Sequence, residues 1–279
     1  MPSAKGSAHS PALIVQLTDP HIVANARLCL NTIDTSSFLR EAVDTVKHLT
    51  TAPDAVVITG DLVNEGRPNQ YEHLRVLLTP LLSSDIPVYL MPGNHDNRAA
   101  LRDAFPEHSE LGTGDTCDFV VDVGAVRLIG LDTVVEGEPG GDLSDKQLQW
   151  LEARLRKAPK RPTMIAMHHP PFVTGIGHMD AQGLTPAARQ AMEAIVSAHP
   201  QVQRVTCGHI HRSISRRWAG TVAATTPSVA HAVAFDLRKD GPGAWNYEPP
   251  AITAHYWDGS ALLTHQIGSG NFPAKRYGT

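Results

Sequence analysis

Three short apolar runs separated by two amphipathic stretches constrain the N-terminal third of the chain. Residues 12–18, 54–59 and 86–91 have the length and the aliphatic content of buried strands. Between the first two, Phe38, Leu39, Ala42, Val43, Val46 and Leu49 fall on one stripe of a helix over residues 35–50. Thr35 or Ser36, with Asp34 nearby, can cap its start. A second helix over residues 68–82 turns Tyr71, Leu74, Leu77, Leu78 and Leu81 inward. Strand, helix, strand, helix, strand is the rhythm of parallel βαβ units.

The same grammar continues more loosely. A short helix is expected near 97–104, then strands near 117–122 and 125–131 joined at Gly124. Helices over 144–156, with Leu148, Leu151 and Leu155 inward, and over 185–198 flank strands at 163–167 and 202–207. From about residue 213 the pattern is all strand: 213–218, 221–226, 230–236, 252–257 and 261–267. Repeats, low-complexity tracts and linkers are absent from the sequence. Residues 1–11 therefore read as a loose tail, and 12–279 as one domain of two packed sheets with helices outside. The tail lacks the apolar region of a secretory signal.

Composition narrows the partners. Of 279 residues, 42% are hydrophobic and 19% charged, within the range of folded proteins and outside that of disordered ones. No apolar run reaches the roughly 18 residues a membrane-spanning helix needs. Twenty-four basic residues against 28 acidic leave a net charge of −4, which disfavours a nucleic-acid polymer. Cys29, Cys117 and Cys207 are too scattered for a disulfide framework or a thiolate zinc site. They are expected as buried apolar side chains in a cytoplasmic protein.

Histidine is the exception, with 15 residues. Asp19 and His21 follow the first strand, and Asp61 follows the second behind Gly60. Asn94, His95 and Asp96 follow the third behind Gly93. His168 and His169 follow the strand at 163–167, and His209 and His211 follow that at 202–207 behind Gly208. Ligands bind at this carboxyl rim of open α/β sheets. Asp19-x-His21 and His209-x-His211 have the spacing that points two side chains to one face of extended backbone. The glycines permit turns in which backbone approaches an ion closely.

Asp19, His21, Asp61, Asn94, His169, His209 and His211 supply imidazole and oxygen donors without thiolate. That is more than one tetrahedral zinc accepts, and it suits two ions sharing a carboxylate. Asp61 is the natural bridge, because ligand strands flank it on both sides. Iron, manganese, zinc or cobalt fits such donors better than calcium does.

These blocks, Asp-x-His, Gly-Asp, Gly-Asn-His-Asp, a later His and Gly-His-x-His, resemble the signature of the calcineurin-like metallophosphoesterases, complete and in order. Asn31 to Thr35, Gly60 to Gly66 leading to Tyr71 and Leu74, and Met167 to Phe172 are similar to bacterial class III cyclic-nucleotide phosphodiesterases and glycerophosphodiesterases. The resemblance implies an α/β fold, a four-layer αββα sandwich of two mixed sheets flanked by helices. It implies two divalent or trivalent ions, one on Asp19, His21, Asp61 and His211 and the other on Asp61, Asn94, His169 and His209. Of the adjacent histidines, His169 is taken as the ligand and His168 as the one that packs. His95 would stay off the ions, near the leaving group. No tyrosine stands beside the Gly-Asp block, where purple acid phosphatases carry a ligand.

Two close cations acidify a water between them and absorb charge on a phosphoryl group. His95 can protonate the leaving alkoxide, and Asp96 either orients His95 or caps the next helix. Phe172, His178 and Met179 could wall the pocket, and Asn64 could face a substrate. With no cationic cluster for a phosphomonoester dianion, small phosphodiesters are the expected substrates. The alternatives are a phosphomonoesterase or protein phosphatase, or a metal-binding scaffold without activity. The C-terminal strands could pair with a second subunit in a homodimer or larger homo-oligomer, or cap the site.

Overall fold

The computed structural model describes residues 10–24 and 27–278, so most of the expected tail, residues 1–9, lies outside the described residues. The chain runs β1 (Ala12–Leu17), α1 (Thr35–Lys47), β2 (Ala55–Thr59), α2 (Pro68–Leu82), β3 (Val88–Met91) and α3 (Arg98–Ala104). It continues through β4 (Phe119–Val123), β5 (Val126–Leu131), α4 (Asp145–Arg156), β6 (Thr163–Met167), α5 (Gly177–Asp180), α6 (Pro186–Ser197) and β7 (Val202–Cys207). The last part contains β8 (Ile214–Trp218), β9 (Thr221–Thr225), β10 (Ala232–Val233), β11 (Trp245–Asn246), β12 (Ala251–Trp257) and β13 (Leu262–Gly268).

Two mixed sheets result. One has the order β13-β12-β1-β2-β3, the other β4-β5-β6-β7-β9-β8. β1, β2 and β3 are parallel, as are β5, β6, β7 and β9, so their carboxyl ends share a rim within each sheet. The late strands complete these sheets: β12 pairs antiparallel with β1, and β9 pairs parallel with β7.

Period-two burial makes four layers. Ile14, Val57, Leu128, Met164 and Ala166 point into an apolar layer between the sheets. Their neighbours Val15, Val56 and Ile58 point outward onto α1 and α2, against Leu39, Val43, Leu74 and Leu78. Ile129, Ile165 and Met167 point outward onto α4 and α6, against Leu151, Leu155, Met192 and Val196. Strands buried on both faces explain why the runs read as continuously apolar. All three cysteines are buried and free, as expected.

Two local expectations need correction. Asp34, not Thr35 or Ser36, caps α1, accepting from the Ser37 N–H at 3.0 Å. Thr35 is buried and donates instead to the His21 carbonyl at 3.1 Å, which ties α1 to the loop after β1. The strand expected over 230–236 is only β10, and it pairs with β11 in a ribbon outside both sheets. Long-range pairing with Trp245 and Asn246 set its length, and no local pattern encodes that.

Candidate metal centre

The loops after β1, β2, β3, β6 and β7 bring their donors together. The reason is not the one the spacing implied. Asp19, His21, Asp61, His209 and His211 have φ of 52°, 44°, 47°, 67° and 52°, so both i, i+2 pairs are left-handed and not extended. These are five of the eight non-glycine residues with positive φ among the described residues. Each such conformation costs about 1 kcal/mol or more, and it persists where the surroundings over-determine it. Here hydrogen bonds between the loops do so. Asp19 N–H donates to Gly60 O at 3.1 Å, and His21 N–H donates to Asp61 O at 2.9 Å. His209 N–H donates to Asp19 Oδ1 at 3.0 Å.

Two of the glycines serve contact between loops. A β-carbon on Gly93 would lie 2.3 Å from the Asp61 nitrogen. One on Gly208 would lie 2.2 Å from Thr18 Oγ1 and 2.8 Å from Asp19 Oδ2. The close approach is therefore between the donor loops themselves.

Two buried clusters form. In the first, His21 Nε2 and His211 Nε2 are 3.1 Å apart. Asp61 Oδ2 lies 3.4 Å from His21 Nε2, and Asp19 Oδ1 lies 3.4 Å from His211 Nε2. In the second, Asn94 Oδ1 lies 3.1 Å from His168 Nε2 and 3.0 Å from His209 Nδ1. Asp61 Oδ1 lies 3.4 Å from His168 Nε2. The two oxygens of Asp61 thus face different clusters.

The structure brings both adjacent histidines to the second cluster, where His168 was expected to point away. His168, not His169, points at Asp61 and Asn94. Its Nδ1–H donates to Thr59 O at 2.9 Å, which directs Nε2 into the cluster. His211 is held in the same way, its Nδ1–H on His231 O at 3.0 Å. Backbone carbonyls commonly orient metal-binding imidazoles like this. His169 lies within the second cluster, but both its nitrogens are engaged. Nδ1 lies 2.8 Å from the Thr133 hydroxyl, and Nε2–H donates to Pro139 O at 3.2 Å. Electrostatics separate the pair as well. Burial opposes charge on His168, but the Asp61 carboxylate outweighs it and carries the ring up to about 9. Burial, with His168 beside it, drives His169 down to about 3.

Other expected residues divide. His95 is exposed at the mouth, its ring centroid 4.7 Å from that of His21. Its Nδ1–H donates to the Asn64 carbonyl at 2.8 Å, and its backbone N–H donates to Asp61 Oδ1 at 2.9 Å. Asn64 therefore orients His95 through its main chain, while its side chain accepts from the Cys29 thiol. Asp96 makes no hydrogen bond to the His95 ring and does not cap α3, whose cap is Asn97. It accepts from the Leu62, Val63 and Gly93 N–H groups and from the Tyr71 hydroxyl, fastening the loops after β2 and β3 to α2. Phe172 and Met179 are buried in packing clusters. Phe172, 4% exposed, packs in the core under α4 and α6, and Met179 packs with Ile176, Ile210 and Val233. His178 is half-buried on α5, beside Gly243.

His231 escaped the sequence reading. It is buried, with its ring centroid 4.6 Å from His211 and 5.5 Å from His21. No spacing motif surrounds it, and only the excess of histidines hinted at such a residue.

The donors fit metal ions. Buried ring nitrogens and carboxylate oxygens face one another at 3.1–3.4 Å with no proton able to satisfy all of them, and a cation between them would. Two sheets sandwiched between helices, with two adjoining clusters of aspartate, asparagine and histidine able to hold metal ions at the strand ends, fit a metallohydrolase architecture. The chain belongs to the calcineurin-like phosphoesterase family, whose model matches residues 12–213. It is a metallophosphoesterase, a hydrolytic enzyme. A protein of Arcobacter nitrofigilis named "Probable glycerophosphodiester phosphodiesterase GpdQ" is 34% identical, covering 93% of this chain and 94% of its own. The 3',5'-cyclic adenosine monophosphate phosphodiesterase CpdA of Escherichia coli K12 is 31% identical over 82% of each chain. A dimetal phosphatase structure from Danio rerio superposes with a TM-score of 0.62, covering 93% of this chain and 99% of that one, at 16% identity. No helix among the described residues is long and apolar enough to cross a membrane.

Proposed function

We propose that the protein is a dinuclear metal-dependent phosphodiesterase of small phosphodiesters, either glycerophosphodiesters or cyclic nucleotides. The observation that carries this is the division of Asp61, whose two oxygens serve the two clusters. Asp19, His21, Asp61 and His211 would hold one ion. Asp61, Asn94, His168 and His209 would hold the other. The donor chemistry suits iron, manganese, zinc or cobalt. When bound, such a pair supplies Lewis-acid polarisation of a phosphoryl group and an acidified water.

The chain's own residues do the rest. The Nδ1–H of His95 donates to Asn64 O, so Nε2 is the atom left to exchange a proton with solvent or substrate. Beside His21 at the mouth, His95 donates that proton to the leaving alkoxide. The carboxylate of Asp96 holds the two loops in register, so that Asp61 and His95 keep their mutual geometry. Names of the relatives favour diesters over monoesters. Three buried free cysteines suit a reducing, cytoplasmic setting.

Rates on bis(p-nitrophenyl) phosphate and p-nitrophenyl phosphate, with manganese or iron supplied, test the reading. A preference for the diester is expected, and a strong monoester preference would overturn it. His95→Ala is expected to lower diester turnover by about 10²–10⁴-fold while two ions remain bound. Retained turnover in that variant removes His95 from the reaction.

A further inference from the structure

The ribbon β10–β11 carries exposed rings to the mouth of the metal centre. His231, just before β10, packs against His21 and His211, with centroids 5.5 and 4.6 Å away. Trp245 on β11 packs edge-to-face with His231 at 6.0 Å and 80°, and with Tyr247 at 5.1 Å and 89°. Trp245 is 37% and Tyr247 57% exposed. Large apolar rings left in water beside a polar site are informative in a way that scattered surface leucines are not.

These rings are held in place before any ligand arrives. Trp245 is in register with Val233, whose side chain packs in a small core with Ile176, Met179 and Ile210. The Tyr247 hydroxyl donates to Thr32 O at 3.2 Å, which ties the ring to the loop before α1. A pre-positioned aromatic surface loses little entropy on binding. Trp245 thus stands two ring contacts away from His21, through His231. The Glu248 carboxylate near this rim accepts from Arg212 at 2.8 Å and from Asn246 at 2.9 Å through Oε1, so a guanidinium balances its charge. A platform of rings beside charges that cancel suits a neutral planar ring, which stacks on an aromatic surface whatever its sequence context.

We propose that Trp245, with Tyr247 beside it, is a specificity-determining platform that stacks the nucleobase of a cyclic-nucleotide substrate above the metal centre. This deepens the diesterase reading and rests on it. An aliphatic glycerol diester would share the phosphate seat but gain nothing from the rings.

The test compares wild type, Trp245→Ala and Trp245→Phe, all loaded with manganese, on 3',5'-cyclic AMP and on glycerophosphoethanolamine and glycerophosphocholine. Stacking predicts that Trp245→Ala raises KM for cyclic AMP about 10- to 100-fold with kcat little changed. Trp245→Phe should recover most of that, and neither variant should alter the glycerol diesters. Calorimetric affinity for 5'-AMP should fall by the same factor in Trp245→Ala, a readout independent of turnover. Equal losses on all substrates, a loss confined to glycerophosphocholine, or unchanged 5'-AMP affinity would each overturn the proposal. A wild-type protein that hydrolyses no diester would refute the diesterase reading and this proposal with it, whereas cyclic AMP hydrolysis with a KM unchanged by Trp245→Ala would overturn the platform alone.

Discussion

Asp61→Ala is expected to leave the protein with at most one bound ion and to lower diester hydrolysis by at least about 10³-fold. The side chain is 2% exposed, and its oxygens face His21 on one side and His168 on the other, each at 3.4 Å. Truncation therefore takes a donor from both clusters, and removes the only carboxylate of the second. It also releases the His95 backbone N–H, which donates to Asp61 Oδ1. Thermal unfolding supplies a second measure. Ions that bind the folded state alone stabilise it by about 2.7 kcal/mol at a hundredfold excess over Kd. Chelation should then lower the wild-type Tm by about 5–10 °C and that of Asp61→Ala by clearly less. Elemental analysis showing two ions in Asp61→Ala would refute the bridging role.

His168→Ala and His169→Ala should part company just as clearly. His168 turns Nε2 toward Asp61 and Asn94, so its loss should remove the second ion and about 10²–10³-fold of turnover. His169 donates to Pro139 O and lies against the Thr133 hydroxyl, so its truncation should keep both ions. Its effect should appear as stability, about 0.5–1.5 kcal/mol, because the ring's bonds to the buried Thr133 hydroxyl and the carbonyl of exposed Pro139 are lost while the His169 backbone N–H still donates to Thr133 Oγ1. Metal content and Tm measured on both variants decide the matter. A second ion lost from His169→Ala and kept by His168→Ala would restore the reading drawn from sequence.

The fold was largely legible because its physics is periodic. Apolar runs such as Val56 to Ile58 report strands buried on both faces, and the stripe from Tyr71 to Leu81 reports the helix that covers them. Donor identity was legible too, since parallel strands must end on one rim and each ended in an aspartate, asparagine or histidine. The cap at Asp34 and the short β10 were not, because bonds to Ser37 and to distant β11 decide them.

Which residues leave the strand ends, and so the chemistry available there, follows from the order of amino acids alone. Where each side chain points once the strand has ended follows from the packed molecule. His168 and His169 are neighbours of identical type, and no local pattern ranks them. Thr59 O and Pro139 O, distant in sequence, do so by accepting a proton from one ring each. The left-handed turns at Asp19, Asp61 and His209 have the same origin, because hydrogen bonds between loops hold conformations the local chain disfavours. Periodicity encodes burial over a few residues, whereas direction at a loop is set by partners that come close only after the sheets have packed.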